Sequence, residues 1–577
     1  MNSSETSPNV LQELYAGRIR WELLTPFPEP DASGADAVAV LTALLDDHLD
    51  AEEVESSGRL PDGLLEKLQG AGLLRLMVDP ELGGLGVSWY GACRVVEAAA
   101  LRSVAVAFVL SIQNGFGSSV YLPALADGPL RTVIAAKVAA GIISAAADAE
   151  PAGAANQSRQ TRAVPADGGY LLTGEKLFIG NGAVADFLDV SATLADGSVR
   201  LFFVDTSSPG FEVVARHEFM GLRGAPFGML RLTDVWVPAD QLMPESDDWR
   251  MRPEPGVHSD LGLRAALGRH LVIGPPALAI ARLALEWVQE FAGRRTIDGR
   301  GLGSYEEIQR TAGEIAAEVY TIETVQLWCV LGTNTEHDLA AAKNITSLAA
   351  WRAIDRAVSV LGGEGYETSR SKAARGVPAH PAERYLRDAR ALRIAGGVDT
   401  MMDRWSQQSN QPTAVPAEPV GDSYLAVQVH RFAVTCHAHP TPTQRQSAVL
   451  GRLGGELLTL TLLTARQGTL VAEAAQQQSR HRIEQLWTTL TAELDDATNP
   501  TTELGRELLV ERIVAQLWAE AFGQVEGDFF SLGGHSMVAV RLAAALRERL
   551  GVRVPVRVVL ERPTVAELVQ YLVHERA

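Results

Sequence analysis

Residues 528–537 read Asp528-Phe529-Phe530-Ser531-Leu532-Gly533-Gly534-His535-Ser536-Met537. The paired glycines let the backbone turn tightly into a helix, leaving the Ser536 hydroxyl exposed at that helix's start. An oxyanion carried there would sit against the positive end of the helix dipole. Downstream, Val538, Leu542, Ala545 and Leu546 fall on one helical face. Glu561-Arg562-Pro563-Thr564-Val565 is a stop followed by a new start, before Leu568 and Leu572. The reading is a small helical domain over 503–577.

The motif resembles the phosphopantetheine attachment site of carrier domains, and its Gly-Gly-His-Ser form is closer to a peptidyl than to a polyketide acyl carrier. The resemblance implies phosphopantetheine on Ser536. It also implies a phosphopantetheinyl transferase and an adenylating or acyl-loading enzyme as partners, and an acyl or aminoacyl thioester as cargo.

Working upstream, Asp495-Asp496-Ala497-Thr498-Asn499-Pro500-Thr501-Thr502 reads as a tether over 495–502. Before it, 420–494 is helical in pattern and carries no motif that assigns it a role. The period is again helical over 255–410, with breaks at Gly299–Gly303, Gly362-Gly363 and Gly376–Pro381. Over 141–250 it becomes β-like, with runs at Tyr170–Leu172, Lys176–Ile179, Phe187–Ala192, Val199–Asp205 and Met229–Val237, separated by turns such as Asp167-Gly168-Gly169 and Asn181-Gly182. Residues 36–140 are helical, with Pro61 at a helix start ahead of Leu64, Leu65 and Leu68. The N-terminal segment 1–35 bears Pro26, Pro28 and Pro30 close together and only a short helical stretch around Leu11–Leu24, so part of it reads as disordered.

The chain has 577 residues and a net charge of −19. That charge, with no long basic tract, argues against nucleic acid and anionic membranes as partners. Cys93, Cys329 and Cys436 are far apart and lack metal-site spacing, so neither a metal nor a disulfide framework is expected. No apolar run reads as long enough to span a membrane, and Met1-Asn2-Ser3-Ser4-Glu5 does not open a secretory signal. The expected location is cytoplasmic.

Six motifs in order over roughly 36–408 are similar to those of the acyl-CoA dehydrogenases. Pro80-Glu81-Leu82-Gly83-Gly84-Leu85-Gly86 resembles an N-terminal signature of that family, Glu150-Pro151 its Thr-Glu-Pro, and Gly174-Glu175-Lys176-Leu177-Phe178-Ile179 its Gly-x-Lys-x-Trp-Ile strand. Gly221–Gly224 with Asp234–Pro238, Leu361–Tyr366 with Arg295, and Arg384–Ala389 complete the set. The resemblance implies a mainly α fold with an inserted β-barrel domain and an α bundle, here followed by extra helices and a small four-helix carrier. It implies FAD held near Ala149, Phe178, Gly180, Arg295, Gly362 and Gly363, in a homodimer or homotetramer. It also implies oxidation of a thioester, whose carbonyl acidifies the α-carbon so that a carboxylate can remove a proton as hydride leaves the β-carbon.

The chain departs from that pattern where chemistry is most specific. Gly396 stands at the usual position of the catalytic glutamate and Gly268 at the alternative one. Ala149, Phe178 and Gly180 replace a threonine, a tryptophan and a threonine; Ala154-Ala155-Asn156 replaces Gly-Ser-Asp; Asp298 replaces a phenylalanine. Candidate replacement bases are Asp148, Asp399, Glu364 and His270. The function expected is flavin-dependent thioester dehydrogenation in nonribosomal peptide or polyketide biosynthesis. The alternatives are a redox-neutral lyase, cyclase or transferase on the same scaffold, or a noncatalytic carrier platform.

Overall fold

The computed structural model describes residues 9–153, 156, 158–244, 261–410, 414–466, 468–495 and 499–574. Two compact units divide the chain, Met1–Trp487 and Thr488–Ala577.

In the first unit, α1 (Val10–Tyr15) precedes α2 (Ala35–His48), α3 (Ala51–Ser57), α4 (Leu64–Gly70), α5 (Trp89–Ala100), α6 (Val104–Phe116) and α7 (Pro129–Ala139). Within the N-terminal segment, α1 is held in the core. Leu11 and Leu14 are fully buried, and the Leu11 N–H donates to the buried carboxylate of Asp338 at 2.9 Å. Helix α5 buries Cys93, Val96 and Ala100, and α6 buries most of its length, because none of its 13 residues is charged and most are apolar.

Seven strands follow: β1 (Ser144–Ala147), β2 (Arg162–Ala166), β3 (Gly169–Ile179), β4 (Phe187–Thr193), β5 (Val199–Asp205), β6 (Phe211–Arg216) and β7 (Gly228–Pro238). Strand β4 pairs along its whole length with β5. Its other edge takes β1 in parallel from Ser144↔Phe187 and meets β2 at Arg162↔Thr193. The sheet then continues β2-β3-β7-β6. Three strands escape sequence reading: Ser144-Ala145-Ala146-Ala147 has helical propensity, β2 contains Pro165, and β6 is mostly exposed. Conversely, the two runs read inside Tyr170–Ile179 are one strand with irregularities at Leu172/Gly174 and Lys176/Ile179.

The bundle is α8 (Leu261–Arg294), α9 (Glu306–Leu331) and α10 (Glu336–Leu361), with the hairpin β8 (Thr296–Ile297) and β9 (Arg300–Gly301) between the first two. Shorter helices complete it: α11 (Gly363–Tyr366), α12 (Ser369–Ala374), α13 (Ala382–Leu392) and α14 (Asp399–Ser409). Beyond them α15 (Tyr424–Ala438), α16 (Gln444–Ala465) and α17 (Leu470–Asp495) are helical as expected, and α16 packs on α9, α10 and α14. Fully buried Glu318 binds Arg352 at 2.6 Å and lies 3.6 Å from Arg482 of α17, so ion pairs as well as apolar contacts attach these helices.

One expectation is corrected. Val104–Tyr121, Gly262–Arg294 and Gln444–Ala465 are long and apolar enough to cross a membrane by length and composition. In each, 78% of the apolar 18-residue window is buried within the protein, where the core supplies the apolar surroundings.

The second unit holds α18 (Pro500–Phe522), α19 (Ser536–Leu550), α20 (Val556–Glu561) and α21 (Val565–His574) around Trp518, Phe529, Leu546 and Leu568. The expected tether is shorter than read: Asp495 still belongs to α17, and Pro500 already opens α18, capped by the Asn499 side chain. Residues 496–498 of the tether, 1–8 of the N-terminal segment and Ala154-Ala155 lie outside the described residues.

Candidate functional site

The carrier serine is positioned by a loop of mutually supporting contacts. Asp528 Oδ1 accepts from Phe530 N and Ser531 N at 3.0 Å, while the Gly534 N–H donates to Phe529 O at 2.8 Å. Gly533 adopts φ +83°, and a Cβ on Gly534 would lie 2.4 Å from Phe529 O and 2.5 Å from its ring. Both glycines are therefore required by geometry. Ser536 is the first residue of α19 and is exposed.

At the end of β3 the chain builds a different surface. Phe178 has φ +58° and its ring is 55% exposed, within 4.7 Å of His217 and 6.1 Å of Phe219. The Phe178 N–H donates to His217 Nε2 at 3.2 Å. Ala149 is half-buried, and its carbonyl accepts from Leu177 N at 2.9 Å. A Cβ on Gly180 would lie 2.3 Å from Ile112 Cδ1, so the space of the family's threonine is filled by an isoleucine from α6. Buried Asn181 Oδ1 has no hydrogen-bond partner among the described residues. These residues fit a flat aromatic heterocycle: an open ring to stack on, small residues beside it and an orphan acceptor.

A second portion lies at the far end of the bundle. Arg295 is exposed at the start of the β8–β9 hairpin, whose turn residues Asp298 and Gly299 have φ +50° and +76°. Gly362 adopts φ +57°, and nothing lies within 4 Å of a Cβ on Gly362 or Gly363. An exposed guanidinium and open glycine backbone suit a phosphate group.

Three of the four candidate bases are held in ion pairs; the ring nitrogens of the fourth, buried His270, have no hydrogen-bond partner among the described residues. Asp148 accepts two bonds from Arg159 at 2.8 Å and one from Ser191 at 2.6 Å. Burial raises its pKa, but these donors outweigh burial and hold it below the ordinary carboxylate value. Asp399 opens α14 with Oδ2 2.6 Å from Arg393, and buried Lys343 lies 3.6 Å from its Oδ1. Glu364 is bound by Arg294, whose guanidinium lowers its pKa. His270 is buried beside Gly274, and burial lowers its pKa to about 4, so it is neutral.

Gly268 and Gly396, the two glycines expected at base positions, differ in their surroundings. A Cβ on Gly268 would lie 2.2 Å from Gly115 O, so close crossing of α6 and α8 leaves no room for any side chain. Gly396 has φ +68°, and a Cβ there would lie 2.9 Å from Arg269 Cγ. Arg269 is largely buried, which lowers its pKa; its guanidinium lies 5.6 Å from the Trp405 ring. A cation thus stands beside the position where an anion was expected.

Sequence reasoning missed Arg269 because only folding brings it to Gly396. It also missed the buried Lys176–Glu150 pair at 2.9 Å, although both residues lie inside recognised motifs. Burial pushes Glu150 up, yet Thr161, Lys176 and the N–H groups of Gln160 and Thr161 bring its pKa to about 2. The pair ties the start of the β domain to β3.

Comparison with known proteins agrees with this architecture. The chain matches "Acyl-CoA dehydrogenase, N-terminal domain" over 37–127, the middle domain over 145–235 and the C-terminal domain over 266–408. "Phosphopantetheine attachment site" matches 512–572. Probable acyl-CoA dehydrogenase FadE10 of Mycobacterium tuberculosis is 32% identical over 418 residues, 68% of this chain; the chain spans 62% of that relative's length. The crystal structure of a probable acyl CoA dehydrogenase from Mycobacterium abscessus superposes with a TM-score of 0.56 at 26% identity, covering 65% of this chain and 98% of that one. A glutaryl-CoA dehydrogenase from Mycobacterium smegmatis, solved in complex with FADH2, shares the fold with a TM-score of 0.54 at 18% identity over 70% and 98%. From the signature near Pro80 to the helices after Arg384 the chain belongs to the acyl-CoA dehydrogenase family, and it continues into a phosphopantetheine attachment domain.

Proposed function

We propose that this protein is a flavin-dependent oxidoreductase that dehydrogenates an acyl or aminoacyl thioester held on phosphopantetheine at its own Ser536. The observation that carries the proposal is the joining, in one chain, of an acyl-CoA dehydrogenase body to an exposed serine at the start of α19. A thioester is the substrate form that both parts share. Covalent attachment replaces free encounter with a high effective concentration, so the body needs few contacts to the carrier.

FAD would be held by the Phe178 ring, the backbone around Ala149 and Gly180, and Arg295 with Gly362-Gly363. When bound, it supplies the acceptor for hydride from the β-carbon. The chain itself must bind the thioester carbonyl and remove the α-proton. Arg269 beside Gly396 favours negative charge at that carbonyl, whereas Asp148 and Asp399 accept a proton only by giving up part of an ion pair. Exposed Arg295 and Gly362-Gly363 are consistent with completion of the cofactor site by a second copy, in a homodimer or homotetramer. The setting proposed is cytoplasmic nonribosomal peptide or polyketide biosynthesis, with a phosphopantetheinyl transferase and an adenylating or acyl-loading enzyme as partners.

The glycines at both base positions favour a second reading, a redox-neutral lyase, cyclase or transferase on the same scaffold. The deciding experiment is the absorption spectrum of the purified full chain with and without added FAD. Stoichiometric flavin bands that fade anaerobically when the carrier is loaded support dehydrogenation. Absence of binding overturns it and leaves a redox-neutral enzyme or a noncatalytic carrier platform.

A further inference from the structure

Where the family's base would stand, this chain places the stem of an arginine. A Cβ on Gly396 would lie 2.9 Å from Arg269 Cγ, 3.3 Å from Cδ and 3.6 Å from Nε, so a side chain leaving position 396 would run beside the guanidinium. The guanidinium lies 5.6 Å from the Trp405 ring, and its Nε has no hydrogen-bond partner among the described residues. The carboxylates of α14, the helix that carries Trp405, are engaged. Asp399 is held by Arg393 at 2.6 Å with Lys343 at 3.6 Å, and Asp403 by Arg452 and by Asn344, each at 2.6 Å. Glu336, at the start of α10, raises the pKa of Arg269 by its charge, but burial outweighs it. Arg269 keeps part of its surface accessible, and Ile394, Val398, Met401 and Trp405 are exposed. Val398, Met401 and Trp405 recur at intervals of three and four residues and so share a face. A partly desolvated cation thus stands beside an open apolar face.

We infer that Arg269 determines specificity by pairing with a carboxylate on the acyl group itself, so that the substrate is a short dicarboxylic acid joined through one end as the thioester. The inference rests on the thioester reading given above and narrows its acyl-or-aminoacyl alternative. Position comes first. On the family's pattern a carboxylate from position 396 reaches the α-carbon, so a group paired with Arg269 lies on the α-carbon or the carbon next to it. Charge comes second. A desolvated guanidinium whose donors are not all met is costly, and a carboxylate accepts two parallel N–H bonds from it. Bound in this way, the substrate brings the negative charge that Gly396 does not supply. The guanidinium carries five N–H donors, so a carboxylate on one edge leaves others for the thioester carbonyl. A substrate ammonium would instead meet Arg269 with Lys343 and Arg393 nearby, and Asp399 is already shared by those two. Like charges at that range oppose one another. The carbon chain of the acyl group would lie against the apolar face of Val398, Met401 and Trp405.

The test uses the full chain as S536A, which has no arm of its own, with three pantetheine thioesters: succinyl, butanoyl and 4-aminobutanoyl. Calorimetric titration should rank succinyl at least ten-fold tighter than butanoyl, a difference of about 1.4 kcal/mol, with 4-aminobutanoyl weakest. R269K should keep the order with a smaller ratio, because lysine retains the charge without the planar fork. R269Q should bring the ratio of succinyl to butanoyl affinity to about one, since the charge is gone. A flat or reversed order in the parent, or a ratio that survives R269Q, overturns the inference. If R269Q does not fold, G396D serves. It sets a carboxylate of the chain beside the guanidinium, so the ratio should fall at least ten-fold, and an undiminished ratio overturns the inference. A flavin titration of the same sample separates the inference from the reading it rests on. Flavin bound without carboxylate preference removes only the role of Arg269, whereas carboxylate preference without flavin removes only the oxidoreductase.

Discussion

Two Gly-Gly turns in this molecule each lead into a helix, and they do opposite things. Gly533-Gly534 precedes His535 and the exposed Ser536 of α19; Gly396-Gly397 precedes Val398 and Asp399 of α14. In the first, Phe529 packs beneath Gly534 and the helix-start side chain is left to solvent. In the second, Arg269 lies against Gly396 and the helix-start carboxylate is taken by Arg393 and Lys343. The same local grammar presents a reactive hydroxyl in one unit and a structural clamp in the other. What differs is whether distant elements supply partners.

The strongest way to break this contrast is Ser536→Ala. Incubated with a phosphopantetheinyl transferase and coenzyme A, the variant should gain no mass by intact-protein spectrometry, whereas the parent gains one arm. Any gain by the variant would remove Ser536 from its assigned role.

Asp399→Asn tests the other turn. Removing one side of the Arg393–Asp399–Lys343 cluster should lower stability by about 3 kcal/mol, read by denaturant unfolding. Flavin reduction by a loaded thioester should continue at temperatures where the variant is folded. Loss of reduction without loss of stability would instead make Asp399 the base.

Gly534→Ala sharpens the first turn. A Cβ at 2.4 Å from Phe529 O forces the loop to shift, and overpacking of this kind costs about 2 kcal/mol, visible as a lower unfolding midpoint for the carrier signals and slower loading.

Gly396→Ala should be milder. Its strain is a left-handed backbone plus contact with the flexible stem of Arg269, a loss of about 1 kcal/mol by denaturant unfolding. A neutral result would show that Arg269 yields easily and that the position tolerates a side chain.

The pH response adds a gradual test within the body. Glu150 falls from an ordinary 4.5 to about 2, so the native state binds its proton less readily than the unfolded chain does. Its contribution is complete above about 4.5 and is lost as pH falls toward 2. The melting difference between parent and Glu150→Gln should therefore be largest near neutral pH and shrink across that window. A constant difference would assign the loss to packing.

Legibility in the sequence followed how local each feature is. The carrier loop was readable because the residues that shape it lie within Asp528–Met537, with Pro563 the distant acceptor for Phe529 N. The long helices α8, α9 and α10 were readable from their period, whereas β1 was not, because Ser144–Ala147 extends only through pairing with Phe187–Val190 of β4. The burial of α1 was equally hidden, since its acceptor, Asp338, lies 327 residues from Leu11 in the sequence. In the site, substitutions such as Gly180 and Gly396 could be listed from motifs, but their cause could not. Ile112 and Arg269 occupy those spaces from helices far away in the chain.

By itself the sequence determined the order of the family's domains and the attachment motif around Ser536, because each is carried by short runs of residues in recognisable order. Tertiary structure alone decided that Gly268 has no room for a side chain, that Asp148 and Asp399 are bound in ion pairs, and that Arg269 stands beside Gly396. Packing distance, desolvation and charge pairing are properties of neighbours in space. Those neighbours come from helices and strands that the chain brings together only when it folds.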